Sequence, residues 1–116
     1  MRQSAQDAAI AVREESDLRV KVGAAVVRGN RIISLAANKS GGSGKHGYQW
    51  SRHAELRCIL RAEPRGCDIY VGRISGETGR LALAKPCAIC EGLLGEAGIA
   101  RVHYTVDGGW ESMRLN

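Results

Sequence analysis

Two short motifs, His53-Ala54-Glu55 and Pro86-Cys87-Ala88-Ile89-Cys90, constrain this chain more than any other feature. Cys87 and Cys90 are three apart at the start of a predicted helix, so both sulfurs point to one side. A helix start carries free N–H groups and positive partial charge, which favour thiolates. His53-Ala54-Glu55 falls at the first turn of another predicted helix. If His53 joins the two cysteines as a metal ligand, the fold must bring two helix starts together from distant parts of the chain.

The rest of the pattern makes that possible. Ala5, Ala8, Ala9 and Val12 recur at helical spacing between Ser4 and Ser16, with Ser4 as cap. Val20 to Val27 and Arg31 to Ala37 are apolar runs joined at Gly29-Asn30, a hairpin. A glycine-rich loop, Gly41 to Gly47, leads to Ser51, which precedes a helix ending before Pro64. Asp68 to Ile74 is a strand, and Arg80 to Ala84 an extra short segment. A helix runs from about Cys87 to Glu96 and closes at Gly98. Ile99 to Val106 is a final strand, and an irregular tail starts at Asp107-Gly108-Gly109-Trp110. The order α-β-β-α-β-α-β predicts an α/β fold with a mixed sheet and helices on its faces. The strands at Ile69 and Val102 should be parallel neighbours, joined by a crossover through the Cys87 helix.

At 116 residues the chain is long enough for one domain, taken to span 1–116. The sequence has no phenylalanine, three tyrosines and two tryptophans, so Ala, Val, Ile and Leu must build the core. No apolar run is long enough to cross a bilayer, and no membrane partner is expected. Met1 to Asp17 mixes charge with short apolar residues, so no secretory leader is expected and the location is read as cytoplasmic. That compartment argues against disulfides among the four cysteines. Cys58 and Cys67, in apolar surroundings, read as core residues. The net charge of +5 and pI of about 9.3 suit an anionic partner or serve solubility alone.

Three protein ligands, His53, Cys87 and Cys90, leave the fourth tetrahedral position of a zinc ion open to water, the mark of a catalytic site. Zinc brings the pKa of such a water toward neutrality. Glu55, two residues after His53, is within reach to move its proton. Two bland readings compete. A structural zinc knuckle would need Cys58, Cys67, His46 or His103 as fourth ligand, and explains neither the paired helix starts nor Glu55. A redox Cys-x-x-Cys leaves the distant His-x-Glu without a role.

These residues resemble the cytidine deaminase superfamily, whose zinc signature is H-x-E followed by P-C-x-x-C. The resemblance runs from about Val20 to Val106. It implies a three-layer α/β/α sandwich around a mixed five-stranded sheet, with Zn²⁺ as cofactor on His53, Cys87 and Cys90. It further implies Glu55 as the catalytic proton shuttle while zinc-bound hydroxide attacks C4 of cytosine. Gly98-Ile99-Ala100-Arg101-Val102-His103-Tyr104 is similar to the G-I-x-R-V-x-Y stretch of the deoxycytidylate-like branch, and Glu91-Gly92 replaces the R-Q of nucleoside enzymes. That branch has its last two strands parallel. Ala84 stands where the branch commonly carries Ser or Thr, but its backbone carbonyl can still hold the base. Lys85 stands where tRNA adenosine deaminases carry glutamate.

The substrate residues expected from this resemblance are Asn38 for the sugar and Ala54 and Ala84 for the base. Tyr48 or Trp50 would stack on the base, with Lys45, His46 and Arg52 near a phosphate. Trp110 would close over the pocket or anchor a subunit contact, and His103 would be packed or paired. The expected activity is hydrolytic deamination of cytosine in a free (deoxy)cytidine nucleoside or nucleotide. The alternatives are deamination of cytosine or adenine within single-stranded DNA or RNA and, from another class, a non-catalytic zinc-stabilised binding module. A homo-oligomer is expected, because so small a core favours one.

Overall fold

The computed structural model describes residues 4–39 and 53–115. Helix α1 spans Ala5–Val12 and passes into a 3₁₀ turn at Arg13–Glu15. Ser4 caps it as expected, its Oγ accepting the Asp7 N–H at 3.0 Å. Strands β1 (Val22–Arg28) and β2 (Arg31–Ala37) form the expected hairpin, with Gly29 at φ 59° in the turn. Helix α2 covers Ala54–Ile59, and strand β3 covers Asp68–Ile74. A two-residue strand β4 (Leu81–Ala82) precedes α3 (Ala88–Glu96), β5 (Arg101–Val106) and β6 (Gly109–Arg114). The Ser51 cap and the Gly41–Gly47 loop lie outside the described residues.

The main path of the sheet has five strands in the order β2-β1-β3-β5-β6, and β4 pairs with β3 as a sixth. The expected parallel pair is present: β3 runs alongside β5, Ile69 opposite Val102. Two expectations are corrected. The segment after Asp107 is not an irregular tail but strand β6. The last two strands, β5 and β6, are antiparallel rather than parallel. The reason is the connection, since Asp107-Gly108, with Gly108 at φ 75°, is long enough for a hairpin but not for a crossover.

Alternation along the strands divides the sheet into two faces. Ala24, Val26, Ile69, Val71, Val102 and Tyr104 form the face that packs with Cys58 of α2 and Leu94 of α3. Gly23 and Gly72 lie on the other face, under α1. A Cβ on Gly23 would stand 1.9 Å from the Ala9 carbonyl oxygen, so only glycine lets the helix backbone sit this close to β1. The result is the three-layer arrangement, with α1 on one side of the sheet and α2 and α3 on the other.

Polar ties fix the layers where the core side chains are small. Ser34 Oγ donates to the Cys58 carbonyl at 2.7 Å, fastening α2 to β2. Cys58 and Cys67 are buried in the core, as their sequence context implied. His103 is paired, as expected: Nε2 meets Asp68 at 2.8 Å, Nδ1 meets Ser112 Oγ at 2.6 Å, and its ring stacks on Tyr70. Trp110 packs its ring edge toward Tyr70 and close to Gly72, on the α1 side of the sheet.

Candidate active site

His53 and Cys87 each occupy the residue immediately before a helix, at α2 and α3 respectively, with extended backbone. Residues at that position commonly turn their side chains back to cap the helix. Neither does so here, which leaves both ligand atoms available to another partner. Cys90, one turn into α3, is buried, His53 is half-buried and Cys87 is exposed. The donor atoms of the three lie within 4.8 Å of one another, and Cys90 Sγ is 3.2 Å from His53 Nδ1. A tetrahedral zinc with ordinary bond lengths would place such a nitrogen and sulfur roughly 3.5 Å apart. The donor set therefore suits that ion in both chemistry and spacing. Among the described residues the cluster holds three donors, and Cys58, Cys67 and His103 are not part of it.

Electrostatics explains why such a set needs a cation. Burial first, then the Glu55 carboxylate and Cys87, push the Cys90 thiol up. A thiolate there is unfavourable until positive charge arrives. Glu55 itself is buried, and burial pushes its carboxyl up, offset in part by its own backbone N–H and by His53. Burial thus favours its protonated form.

A cleft of about 440 Å³ opens beside the cluster, a size suited to one small ligand. His53, Ala54, Glu55 and Cys87 line it on the helix side, and Leu18, Val20, Val22, Asn38 and Lys39 line it from the β1–β2 side. Arg73, Leu83, Ala84 and Lys85 complete it. The last group is held by the sheet. Thr105 Oγ1 donates to the Ala82 carbonyl at 2.6 Å, the Ala84 N–H donates to the Thr105 carbonyl at 3.0 Å, and Arg73 Nε donates to the Leu83 carbonyl at 2.8 Å.

A sequence model of the cytidine and deoxycytidylate deaminase zinc-binding region matches residues 1–106. The chain belongs to the cytidine and deoxycytidylate deaminase family. No curated protein gives a significant sequence match. Among solved structures, the fold is similar to a cytidine deaminase from Burkholderia pseudomallei, with a TM-score of 0.68 and 23% identity, covering 96% of this chain and 90% of that one. It is also similar to the dCMP deaminase of cyanophage S-TIM5 in apo form, with a TM-score of 0.62, 23% identity, and 86% and 78% coverage. The same phage enzyme in complex with dCMP and dUMP aligns at a TM-score of 0.55 and 21% identity, over 79% and 71% of the two chains.

Within this family member, Asn38, Ala54 and Ala84 all line the cleft. Asn38 is already tied to backbone: its Oδ1 accepts the Val22 N–H at 3.0 Å and its Nδ2 donates to the Val20 carbonyl at 2.8 Å. Tyr48, Trp50, Lys45, His46 and Arg52 lie outside the described residues. The sequence reading did not select Leu18, Val20, Lys39, Arg73 or Leu83. Val20 and Leu83 are more than half exposed. In the sequence alone each is an ordinary residue near a strand end.

Proposed function

We propose that this chain is a zinc-dependent hydrolytic deaminase that converts cytosine to uracil in a free (deoxy)cytidine nucleoside or nucleotide. The observation that carries this reading is the meeting of His53, Cys87 and Cys90 at a cleft that Glu55 also lines. These three residues would hold the ion, two thiolates and a neutral imidazole balancing its charge. When bound, zinc supplies Lewis-acid activation of water near neutral pH. Glu55 takes one proton from the attacking water and delivers it to ring nitrogen N3, then takes the second from the hydroxyl now on C4 and gives it to the amine, which leaves as ammonia as the C4 carbonyl forms. Its burial favours the protonated form that the donating half of that task needs.

Ala54 and Ala84 hold the base through backbone groups. Asn38 offers the sugar its remaining N–H and lone pair from a side chain that two backbone bonds already fix. The phage enzyme solved with dCMP and dUMP supports a pyrimidine nucleotide as the substrate class. A homo-oligomer, supported by the exposed apolar side chains of Leu60 and Ile89, completes the reading, with the cytoplasm as its location. The net charge of +5 favours a second reading, deamination of a base within single-stranded nucleic acid.

A substrate panel tests the proposal. Zinc-loaded protein is expected to release ammonia from cytidine, deoxycytidine or their monophosphates and to yield the matching uracil compound. Ammonia from an oligonucleotide alone would transfer the assignment to the second reading. No ammonia from any substrate would end the enzyme reading.

A further inference from the structure

The deaminase reading leaves the phosphorylation state of the substrate open, and the charges of the cleft address it. Among the described residues, the cleft is lined by three cations, Lys39, Arg73 and Lys85, and by one carboxylate, Glu55, which the proton relay occupies. Lys39 is engaged, its ammonium donating to the Glu15 carbonyl. Arg73 and Lys85 are different. Neither makes an ion pair with an acidic residue among the described residues. Arg73 is a half-buried residue whose guanidinium is tethered through Nε to the Leu83 carbonyl, two residues from Lys85. Its backbone is also fixed, the N–H donating to Thr105 Oγ1 at 3.2 Å.

A guanidinium held by Nε keeps its terminal nitrogens for another acceptor, in a planar geometry that matches phosphate oxygens. A partly desolvated cation with no carboxylate partner favours an anion from solution. We propose that Arg73 and Lys85 bind the 5′-phosphate of a cytidine mononucleotide, so that this chain acts on nucleotides in preference to nucleosides. The proposal rests on the deaminase reading. A mononucleotide is of a size that a cleft of about 440 Å³ accepts.

The test compares kcat/KM for cytidine, deoxycytidine, their 5′-monophosphates and a short oligodeoxynucleotide with a single cytosine. Zinc-loaded wild type, Arg73→Gln and Lys85→Gln are measured side by side. Wild type should prefer the monophosphate over the nucleoside by roughly tenfold or more, the worth of a charge-assisted hydrogen bond. In each variant that ratio should fall by about tenfold, chiefly through KM for the monophosphate. The ratio cancels any loss of folded enzyme. Equilibrium dialysis of the zinc-loaded Glu55→Ala protein should show tighter binding of the monophosphate than of the nucleoside, and Arg73→Gln in that background should remove the difference. Equal turnover of nucleoside and monophosphate, a ratio unchanged by both substitutions, or preference for the oligonucleotide would overturn the phosphate assignment while leaving a deaminase in place. No ammonia from any cytosine substrate would end the deaminase reading and this proposal with it.

Discussion

Cys90 Sγ stands 3.2 Å from His53 Nδ1, although 37 residues separate the two in the chain. His53 directly precedes α2 and Cys90 lies in α3, two helices on the same face of the sheet. The parallel pairing of β3 with β5 requires a crossover connection, and α3 lies in it. The bond from Ser34 to the Cys58 carbonyl holds α2 in place on the same face. The donor cluster is therefore a product of the sheet topology as much as of the two motifs.

Metal content should depend on that contact. Cys90→Ala or Cys87→Ala is expected to abolish stoichiometric zinc binding. Because binding free energy is also folding free energy, metal loss should lower stability by at least about 2 kcal/mol, or roughly 8 °C in Tm for a domain of this size. Zinc analysis together with thermal melts, before and after chelation, checks this. A Cys90→Ala protein that keeps one tightly bound zinc would contradict the ligand assignment.

The α1 layer allows a paired test at two glycines. Gly23→Ala places a methyl group against the Ala9 carbonyl, where neither backbone can yield cheaply, and should cost about 1–3 kcal/mol. Gly92→Ala in α3 meets nothing within 4 Å and should stabilise by about 0.5–1 kcal/mol through helix propensity. Urea denaturation of both variants measures the contrast, and equal effects would contradict the close helix–sheet approach.

The same structure shows what the sequence could and could not convey. Strand β3 is legible at Asp68–Ile74 because its apolar residues sit between clear turn signals. Strand β6 is not, because Trp110 and Met113 are three apart and show no alternation. Its place comes from the turn at Asp107-Gly108 and from pairing with β5. The three candidate metal-donor residues are legible because ligand chemistry demands particular side chains at particular spacings. Arg73 and Leu83 reach the cleft only because β3 pairs Arg73 with Ala82, a long-range contact that no local pattern announces.

Stability should fall on the alkaline side. Burial pushes the Cys58 thiol above its ordinary value of 9.0. Below about pH 9 the thiol is neutral in the folded and unfolded chains alike, and its contribution is fully present. Above that pH the unfolded chain releases the proton and the folded chain retains it, so stability is lost as pH rises. Tyr70, pushed above 10.0 by burial and by Asp68, acts in the same direction at higher pH. Urea midpoints should decline between about pH 8.5 and 10.5, and Cys58→Ala should have a shallower decline. Identical slopes for the two proteins would contradict the Cys58 assignment.

The most direct test of the account is ammonia release by wild type and Glu55→Ala at matched zinc content, with deoxycytidine monophosphate or cytidine as substrate. The account predicts steady deamination by wild type and a rate at least about 100-fold lower in the variant, the worth of a positioned proton shuttle, with one zinc per chain retained by both. A Glu55→Ala enzyme that deaminates at the wild-type rate, or a zinc-loaded wild type that releases no ammonia, would contradict it.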